Sequence, residues 1–538
     1  MPEPELVDTN ALATSALAAN AVDTNRPWWQ TTVCYQIYPR SFLDTTGNGV
    51  GDLDGIRRQL DELVDLGIGA IWLSPVFRSP MADYGYDVAD FCDVDPLFGD
   101  LVALDALIAD AHARGLRIIL DWVPNHTSIE HPWFVESRSS QDHPKRDWYI
   151  WRDPAADGGR PNNWVEALTY GPAWTWDEAT GQYYLHNFLP EQPDLNWANP
   201  AVVDAMLDTL RFWLDRGVDG FRMDVINLIG KDPELPDEPG DLVGLPHLIM
   251  NDRPETHALL RQIRTVLDSY PGDRVSIGEV ILMTVPAILS HVGNHDELHL
   301  AFNFPPMSGP WTAEAWRTAI EDTERHYRNA DAWPTWVLSN HDQPRHRSRY
   351  GGSEAVARSA GVLLTMLRGT PFLYAGEELG LSDAVVPADR VLDPGGRDGC
   401  RAPIPWDATP THGWTTADPW LPWPPEATTG GNAASQRGQP DSMRSLYRAL
   451  LSTRASSNAL IAGALQLIDA PDGVVAWTRT SDDERWDIAV NFTDEPVDHA
   501  LPAGDLVISS DPLRVVADAT ADDPGVLGPN EAVVVRRR

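Results

Sequence analysis

The sequence predicts an α/β fold built on a (β/α)8 TIM barrel, and three observations lead to this prediction. Apolar, β-branched runs recur along the chain with amphipathic helical patterns between them. Eight such strand–helix units can be found, which is the number in a TIM barrel. The runs are apolar almost throughout, as is typical of parallel strands that helices cover.

The predicted strands follow one another in regular order. The first unit shows the pattern, with "TVCYQIYP" (32–39) as the strand and "GIRRQLDELVDLG" (55–67) as the amphipathic helix. Apolar runs of similar length indicate the remaining seven strands. These are predicted at residues 69–75, 116–124, 219–225, 275–280, 298–304, 334–340 and 369–376.

Three segments are predicted to lie outside the barrel, which we place at 27–125 and 200–456. Residues 126–199 are rich in Pro, Trp, Asp and Asn and indicate a subdomain inserted after the third strand. Short alternating strands in 457–538 predict a C-terminal antiparallel β domain, expected to be a β-sandwich. Residues 1–26 are acidic where a signal peptide is basic, so we expect a flexible N-terminal tail.

Charge and cysteine content restrict the classes of partner. The 538 residues carry a net charge of −38, from 41 basic and 79 acidic side chains. This charge disfavours binding to nucleic acid or anionic membranes. The three cysteines are far apart, and no run of 18 apolar residues occurs, which fits a soluble cytoplasmic protein. The oligomeric state, monomer or dimer, stays open.

Acidic side chains occur where several predicted strands end. In "GFRMDVIN" (220–227), Arg222 and Asp224 are two residues apart and therefore share one face of the strand. Glu279 ends the fifth strand, and Asp342 follows the seventh. One such acid could be a structural partner of an arginine. Acids at three strand ends, where TIM barrels hold their active sites, are costly unless chemistry requires them.

Glycoside hydrolysis with retention requires such a set of acids. One carboxylate attacks the anomeric carbon and another protonates the leaving oxygen, with the two about 5–5.5 Å apart. We predict that Asp224 is the nucleophile and that Arg222 keeps it ionised. Glu279 must stay protonated to act as the acid. Asp342 would stabilise the transition state, and His341 would bond sugar hydroxyls.

Ordered motifs along the chain resemble those of the α-amylase family, glycoside hydrolase family 13. "DWVPNHTS" resembles its first shared region and "GFRMDVIN" its second, with Asp224 at the nucleophile position. "IGEV" has Glu279 at the acid/base position, and "SNHDQPR" has Asp342. The resemblance extends from about residue 28 into the C-terminal domain. "QPDLN" (192–196) resembles the stretch that marks the oligo-1,6-glucosidase and α-glucosidase branch.

The resemblance also implies a closed glucose subsite. A pair between Asp83 and Arg401 would close its non-reducing end, which favours removal of one terminal sugar over cutting within a chain. Relatives place a phenylalanine after "NNW", but this chain reads "NNWVEALTYGPAW", so the aromatic wall is expected to rest on Phe188 alone. The implied subsite residues are Asp83, Tyr86, His126, Phe188, Arg222, His341 and Arg401.

Val225, which follows the nucleophile, bears on linkage specificity. In related enzymes, valine here accompanies a preference for α-1,6 links, and alanine, glycine or threonine accompanies α-1,4 links. Valine is stiff at χ1, so its bulk would be fixed beside the second sugar. We therefore expect isomaltose to be preferred over maltose. The alternative is that Val225 only packs the end of the strand.

The stretch "DTTGNGVGD" (44–52) predicts one structural Ca²⁺ or Mg²⁺ ion, and no organic cofactor is expected. It resembles the first part of an EF-hand loop, although the glutamate at position twelve is replaced by Gly55. The alternative is a polar turn without an ion. "HVGNH" (291–295) has zinc-like spacing but no partner motif, so no metal site is predicted there. The expected ligands are Asp44, Thr46, Asn48, the carbonyl of Val50 and Asp52.

Together these patterns predict a retaining, exo-acting α-glucosidase for short oligosaccharides, with α-1,6 links favoured and α-1,4 links possible. An α-transglucosylase or sucrose-isomerising relative is the alternative among enzymes, because it would use the same two acids. An inactive sugar-binding protein is the alternative from another class. It would be expected to lack Asp224 or Glu279, and both are present.

Overall fold

The eight predicted strands are all present in the computed structural model, which describes residues 26–249, 251–499, 504–514 and 525–538. Of the predicted N-terminal tail, residues 1–25 lie outside this described part. Each strand falls inside its predicted apolar run. The strands are β1 (Cys34–Ile37), β2 (Ala70–Leu73), β3 (Arg117–Trp122), β4 (Gly220–Met223), β5 (Val275–Gly278), β6 (Leu300–Ala301), β7 (Thr335–Val337) and β8 (Thr370–Tyr374).

The strands form one parallel sheet in the order β6-β5-β4-β3-β2-β1-β8-β7. Its two edge strands, β6 and β7, meet through a side chain. The Thr335 hydroxyl donates to the carbonyl oxygen of Ala301 at 2.9 Å and accepts from the amide of Asn303 at 3.1 Å. These bonds satisfy polar groups that an open edge would leave unpaired. The sheet is a nearly closed TIM barrel, as predicted.

Amphipathic helices cover the barrel, and short polar side chains cap many of them. Asn199, for example, accepts a hydrogen bond at 2.9 Å from the amide of Ala201 and starts a helix that has proline at its first position. The principal helices are α1 (Leu53–Arg58), α2 (Leu60–Leu66), α3 (Leu101–Ala113), α4 (Pro132–Ser139), α5 (Pro200–Asp215), α6 (Pro254–Asp268), α7 (Val285–Ser290), α8 (Ala313–Asn329), α9 (Glu354–Met366), α10 (Met443–Ala455) and α11 (Asn458–Ala462).

The segment between β3 and β4 forms a small separate unit beside the carboxyl ends of the barrel strands. It contains α4 and a three-stranded antiparallel sheet of residues Trp151–Arg152, Trp174–Asp177 and Gln182–Leu185. A bridge between His126 and Asp194 joins its two ends, so the segment leaves and re-enters the barrel at one place. Its side chains can therefore form part of a wall over the strand ends.

The C-terminal region is antiparallel, as predicted. Five strands form one sheet in the order β9-β10-β11-β13-β12, and two short strands, Val497–Asp498 and Val526–Leu527, form a second sheet. Among the described residues, no helix combines the length and apolar character that crossing a bilayer requires. The strands of the larger sheet are β9 (Ala464–Ile468), β10 (Val474–Thr480), β11 (Arg485–Asn491), β12 (Gly504–Ser509) and β13 (Ala532–Arg537).

Candidate active site

Strand register brings the predicted acids to one level of the barrel. Asp121 on β3 is paired with Arg222 on β4, and the last residues of β4 and β5 are paired with each other. Asp224 and Glu279 come directly after that pair, so both leave the sheet at its carboxyl edge. Since neighbouring strands lie about 4.8 Å apart, their side chains converge.

Arg222 lies at the centre of this group and is 1% exposed. Its Nη1 donates to Asp121 Oδ1 at 2.9 Å and to Asp224 Oδ1 at 2.7 Å. Its Nη2 lies 2.5 Å from Glu279 Oε2. One guanidinium thus contacts three buried carboxylates, which accounts for an arginine at the end of an apolar strand.

Asp224 and Glu279 are both held by the guanidinium of Arg222. Burial raises the pKa of Asp224 well above its ordinary value, whereas Arg222 lowers it, and the nearby Glu279 and Asp121 add to the rise. Arg222 therefore acts on the pKa in the expected direction, but the effect of burial is larger. Burial likewise raises the pKa of Asp121 to about 6, against the pull of Arg222.

Asp342 is surrounded by cationic groups instead. Its Oδ1 lies 3.0 Å from Arg397 Nη1 and 3.3 Å from Arg401 Nη2, and its Oδ2 lies 3.1 Å from His341. Burial acts to raise the pKa of Asp342, but His341 and the two arginines outweigh it and hold the pKa below its ordinary value. The site therefore disfavours the charge of Asp224 and favours the charge of Asp342.

These groups surround a cavity of about 320 Å³ at the carboxyl ends of the strands. A larger cavity of about 680 Å³ lies between the inserted subdomain and α6, but it contains none of the strand-end acids, so we place the chemistry in the smaller one. Eight predicted site residues line the smaller cavity. They are Asp83, Tyr86, His126, Phe188, Asp224, Val225, Glu279 and Asp342.

Three predicted sugar-binding residues lie behind that wall instead. Arg222, His341 and Arg401 are each no more than 1% exposed and do not line the cavity. His341 Nε2 lies 2.6 Å from the Tyr86 hydroxyl, and the two rings stack with centroids 5.3 Å apart. Arg401 Nε donates to the carbonyl oxygen of His341 at 2.8 Å. These residues position the groups that line the cavity.

The expected pair between Asp83 and Arg401 is not formed. Arg397 takes that place, with Nη2 at 2.5 Å from Asp83 Oδ1, and also contacts Asp342 and Asp393. Arg401 follows Arg397 by four residues on a short 3₁₀ turn and is directed inward to the backbone. The two arginines in "GRDGCR" share Asp342 and Asp393, but only Arg397 reaches Asp83, and spacing alone does not distinguish them.

Sequence reasoning also missed parts of the wall. Gln192 of "QPDLN" donates from Nε2 to Asp83 Oδ2 at 3.1 Å and contacts His126 Nε2 at the same distance. Because this motif can be recognised in the sequence, Gln192 could have been predicted as a site residue. Leu248 and Ile281 also line the cavity, but they lie in a short 3₁₀ turn and a loop, neither of which has a recognisable motif.

Val225 has an unusual backbone for its residue type. Its φ is 37° and its ψ is 43°, a left-handed conformation that β-branched residues rarely adopt. This turn directs the Val225 amide to Glu279 Oε2 at 3.0 Å and places the side chain among Phe188, Leu248 and other apolar residues. Tyr170, which is 65% exposed, also lines the cavity. The aromatic wall therefore does not consist of Phe188 alone.

The loop of residues 44–52 shows features that suit a cation. Asp44 and Asp52 are 6% and 3% exposed, and neither takes part in an ion pair recorded between described residues. Asp44 accepts bonds from three backbone amides, and Asp52 caps α1 through the amide of Gly55. A Cβ on Gly55 would lie 2.0 Å from the Leu43 carbonyl oxygen, so the loop cannot hold the glutamate of an EF-hand there.

Two comparisons of sequence support the same family. The α-amylase catalytic-domain model matches residues 36–463. A probable α-glucosidase of Rhizobium meliloti (strain 1021) is 40% identical over 514 residues, which span 90% of this chain and 93% of that protein. An oligo-1,6-glucosidase of Parageobacillus thermoglucosidasius is 38% identical over 524 residues, 89% of this chain and 92% of that protein.

Solved structures extend the similarity to the whole fold. The α-glucosyl transfer enzyme XgtA aligns with a TM-score of 0.87 at 40% identity, over 95% of this chain and 100% of that one. The trehalulose synthase MutB from Pseudomonas mesoacidophila MX-45 aligns with a TM-score of 0.87 at 34% identity, over 95% and 99%. With a catalytic-domain match over most of its length and relatives that align from end to end, this chain belongs to the α-amylase family of glycoside hydrolases.

Proposed function

We propose that the protein is a retaining, exo-acting α-glucosidase that releases terminal glucose from short α-glucosides. The observation that carries this proposal is that one guanidinium, that of Arg222, holds Asp224 and Glu279 side by side on one wall of a small cavity. Carboxylates held in this way suit retention, which uses a separation of about 5–5.5 Å, whereas inverting enzymes hold theirs about 6.5–9.5 Å apart. Relatives named α-glucosidase and oligo-1,6-glucosidase support the substrate class.

The exo mode follows from the Asp83–Arg397 contact. Arg397 bridges Asp83 and Asp342 across the cavity, and Gln192 holds Asp83 from the other side. The cavity of about 320 Å³ is at the lower end of ligand pockets, which span about 300–1,000 Å³. Such a space suits the terminal unit of an oligosaccharide better than the interior of a long chain.

The proposed reaction uses two steps. Asp224 attacks the anomeric carbon while Glu279 gives its proton to the leaving glycosidic oxygen, which forms a β-glucosyl ester on Asp224. Glu279 then removes a proton from water, which attacks the same carbon and releases α-glucose. Arg222 and the Val225 amide both donate to Glu279 Oε2, which leaves Oε1 to carry the acidic proton.

Initial-rate product analysis tests the proposal directly. The purified chain is incubated with isomaltose, maltose, maltotriose, sucrose and trehalose, and the anomer of the first glucose released is read by proton NMR. We expect α-glucose and no internal cleavage products, with isomaltose turned over faster than maltose. Release of β-glucose would overturn retention, and early maltose from longer maltodextrins would overturn the exo mode.

Transfer of glucose to another sugar is a second candidate, because the wall beyond the nucleophile is apolar. Phe188, Val225 and Leu248 pack there, and apolar side chains bind the face of an acceptor sugar while they leave few groups to position water. The similarity to XgtA and MutB supports this candidate. Products larger than the substrate, formed at high substrate concentration, would favour it over hydrolysis.

We also propose that the loop of residues 44–52 binds one Ca²⁺ or Mg²⁺ ion. The support is the pair of buried carboxylates, Asp44 and Asp52, that lack a cationic partner in the described chain. Oxygen ligands are those that both ions prefer. A cytoplasmic location is proposed as well, since the three cysteines are all free.

A further inference from the structure

Outside the active site, one cluster of side chains has the composition of a metal site. Asp252 precedes α6, His257 lies in its first turn, and His291 is the residue that ends α7. One ligand atom of each lies within 4.8 Å of the other two. The imidazole rings of His257 and His291 have centroids 4.7 Å apart.

His291 has an unpaired nitrogen inside the protein. The residue is 0% exposed, and its Nδ1 lies 3.1 Å from the carbonyl oxygen of Ala287. A carbonyl oxygen can only accept, so Nδ1 carries the hydrogen and Nε2 carries a lone pair. Nε2 is buried and has no hydrogen-bond partner in the described part of the chain. Such a group is costly unless something binds it.

His257 also has one ring nitrogen bound within the protein and the other directed to the cluster. Its Nδ1 lies 2.7 Å from Glu297 Oε2, and Arg261 holds the other oxygen of Glu297 at 2.6 Å. Its Nε2 is directed to Asp252 Oδ1 at 3.6 Å, too far for a hydrogen bond. Histidines that bind metals commonly donate their second ring nitrogen to a carboxylate or a backbone carbonyl, and these two histidines show one case each.

We propose that Asp252, His257 and His291 bind one divalent transition-metal ion, with Zn²⁺ the best match to two imidazoles and a carboxylate. Zinc bonds of about 2.0–2.1 Å require the ligand atoms to close by roughly 1 Å from their present separation. Asp252 is exposed and can move to close the site. Its exposure also leaves the fourth position open to water, as in zinc sites with three protein ligands.

The ion would join two segments that reach the active site. The segment between β4 and α6 contains Val225 and Leu248, and the segment between β5 and α7 contains Glu279 and Ile281. Asp252 lies near the end of the first segment and His257 in the first turn of α6, whereas His291 directly follows α7. A bound ion would therefore restrict motion between two walls of the cavity and stabilise the folded chain.

Metal binding by the full chain tests this inference. The protein is stripped with chelator, dialysed into excess Ca²⁺ to fill oxygen-ligand sites, and titrated with Zn²⁺ by calorimetry. We expect one equivalent to bind and Tm to rise by about 1–3 °C at saturation. Asp252→Asn and His291→Gln should each weaken binding at least tenfold. His295→Gln, from the same "HVGNH" stretch but outside the cluster, is the matched control and should bind as the parent does.

Substitution with Co²⁺ gives a second readout that does not depend on stability. A visible spectrum of tetrahedral Co²⁺ with nitrogen ligands is expected in the parent chain and in His295→Gln. Absence of Zn²⁺ binding to the parent chain would overturn the inference and leave His257 as an ion-pair partner of Glu297 and Asp252. Equal binding by the parent, His291→Gln and Asp252→Asn would also overturn it, since the ion would then lie elsewhere.

Discussion

Arg222 contacts three buried carboxylates. Replacing one of them with a neutral residue should cost least stability where the folded protein most strongly disfavours the charge. Burial and neighbouring acids raise the pKa of Asp224. We therefore expect Asp224→Asn to keep or increase Tm while kcat/KM falls by at least about 10³-fold, because no glucosyl ester forms. Measurements with an aryl α-glucoside and thermal melting check both effects.

A smaller substitution separates loss of the nucleophile from loss of the fold. Asp224→Ala leaves space for a small anion, and azide should restore turnover of the aryl glucoside and give β-glucosyl azide. Asp224→Glu keeps the charge but displaces it, and should stay inactive without azide. Substantial activity of well-folded Asp224→Asn would rule out the nucleophile assignment.

Glu279 is expected to matter most when the leaving group is poor. Glu279→Gln keeps an oxygen that can accept from Arg222 and from the Val225 amide, but its side chain cannot give a proton. Hydrolysis of isomaltose should fall at least about 10²-fold more than that of an aryl glucoside with an activated leaving group. Equal losses on both substrates would show that Glu279 has another role.

Val225 combines bulk in the cavity with a left-handed backbone. Val225→Ala removes two methyl groups beside Phe188, and Val225→Thr keeps the shape but makes it polar. Both should shift the isomaltose-to-maltose ratio of kcat/KM toward maltose by about 1–3 kcal/mol, with little change on an aryl glucoside. Val123→Ala is the control, since Val123 is buried at the end of β3 outside the cavity. An unmoved ratio would contradict a role in linkage.

At the scale of elements, the turn before α1 contains the candidate ion ligands, and one of them, Asp52, also caps α1. Asp52 accepts from the amide of Gly55 and from Thr45, and Asp44 accepts from Gly47 and Gly49. Excess EDTA should lower Tm, and Ca²⁺ or Mg²⁺ should restore it, because hard cations prefer oxygen ligands.

Asp44→Asn provides the matched variant for that experiment. It preserves shape and removes one charge, so its Tm should be lower than that of the parent in Ca²⁺ and unaffected by EDTA followed by Ca²⁺. An identical melting curve for the parent chain with and without chelator would favour the alternative of a polar turn without an ion.

At the scale of the whole molecule, Glu378 links folding to pH. It is 6% exposed, and it accepts from the Tyr35 hydroxyl at 2.8 Å and from the amide of Gly376 at 2.9 Å. Burial raises its pKa from 4.5 to about 7, and the hydrogen bonds only partly oppose that shift. Between those values the folded chain binds a proton that the unfolded chain has lost, so this contribution to stability falls as pH rises.

Glu378→Gln cannot ionise and should escape that loss. Its Tm relative to the parent should rise between about pH 5 and pH 8, by a difference equivalent to at most about 3 kcal/mol. Glu321→Gln, at an exposed position on α8, should show no such trend. A constant difference between Glu378→Gln and the parent across this range would contradict the linkage.

The sequence by itself determined the barrel, because its signal is local. Each strand is an apolar run followed by the pattern of an amphipathic helix, and both patterns are visible within a short stretch of sequence. All eight strands, the inserted unit and the C-terminal antiparallel sheet could be predicted in this way. Asp224, Glu279 and Asp342 could be found as well, since each lies at the end of such a run or within two residues of it.

Only the tertiary structure decided which side chains meet. Arg397 rather than Arg401 reaches Asp83, because the short turn between them leaves the Nε of Arg401 bound to the carbonyl oxygen of His341. His291 meets His257 and Asp252 because the residue that follows α7 lies beside the start of α6, although no spacing in the sequence connects them. Contacts between distant segments depend on packing and on the desolvation of each group, and both are properties of the folded chain rather than of any local pattern.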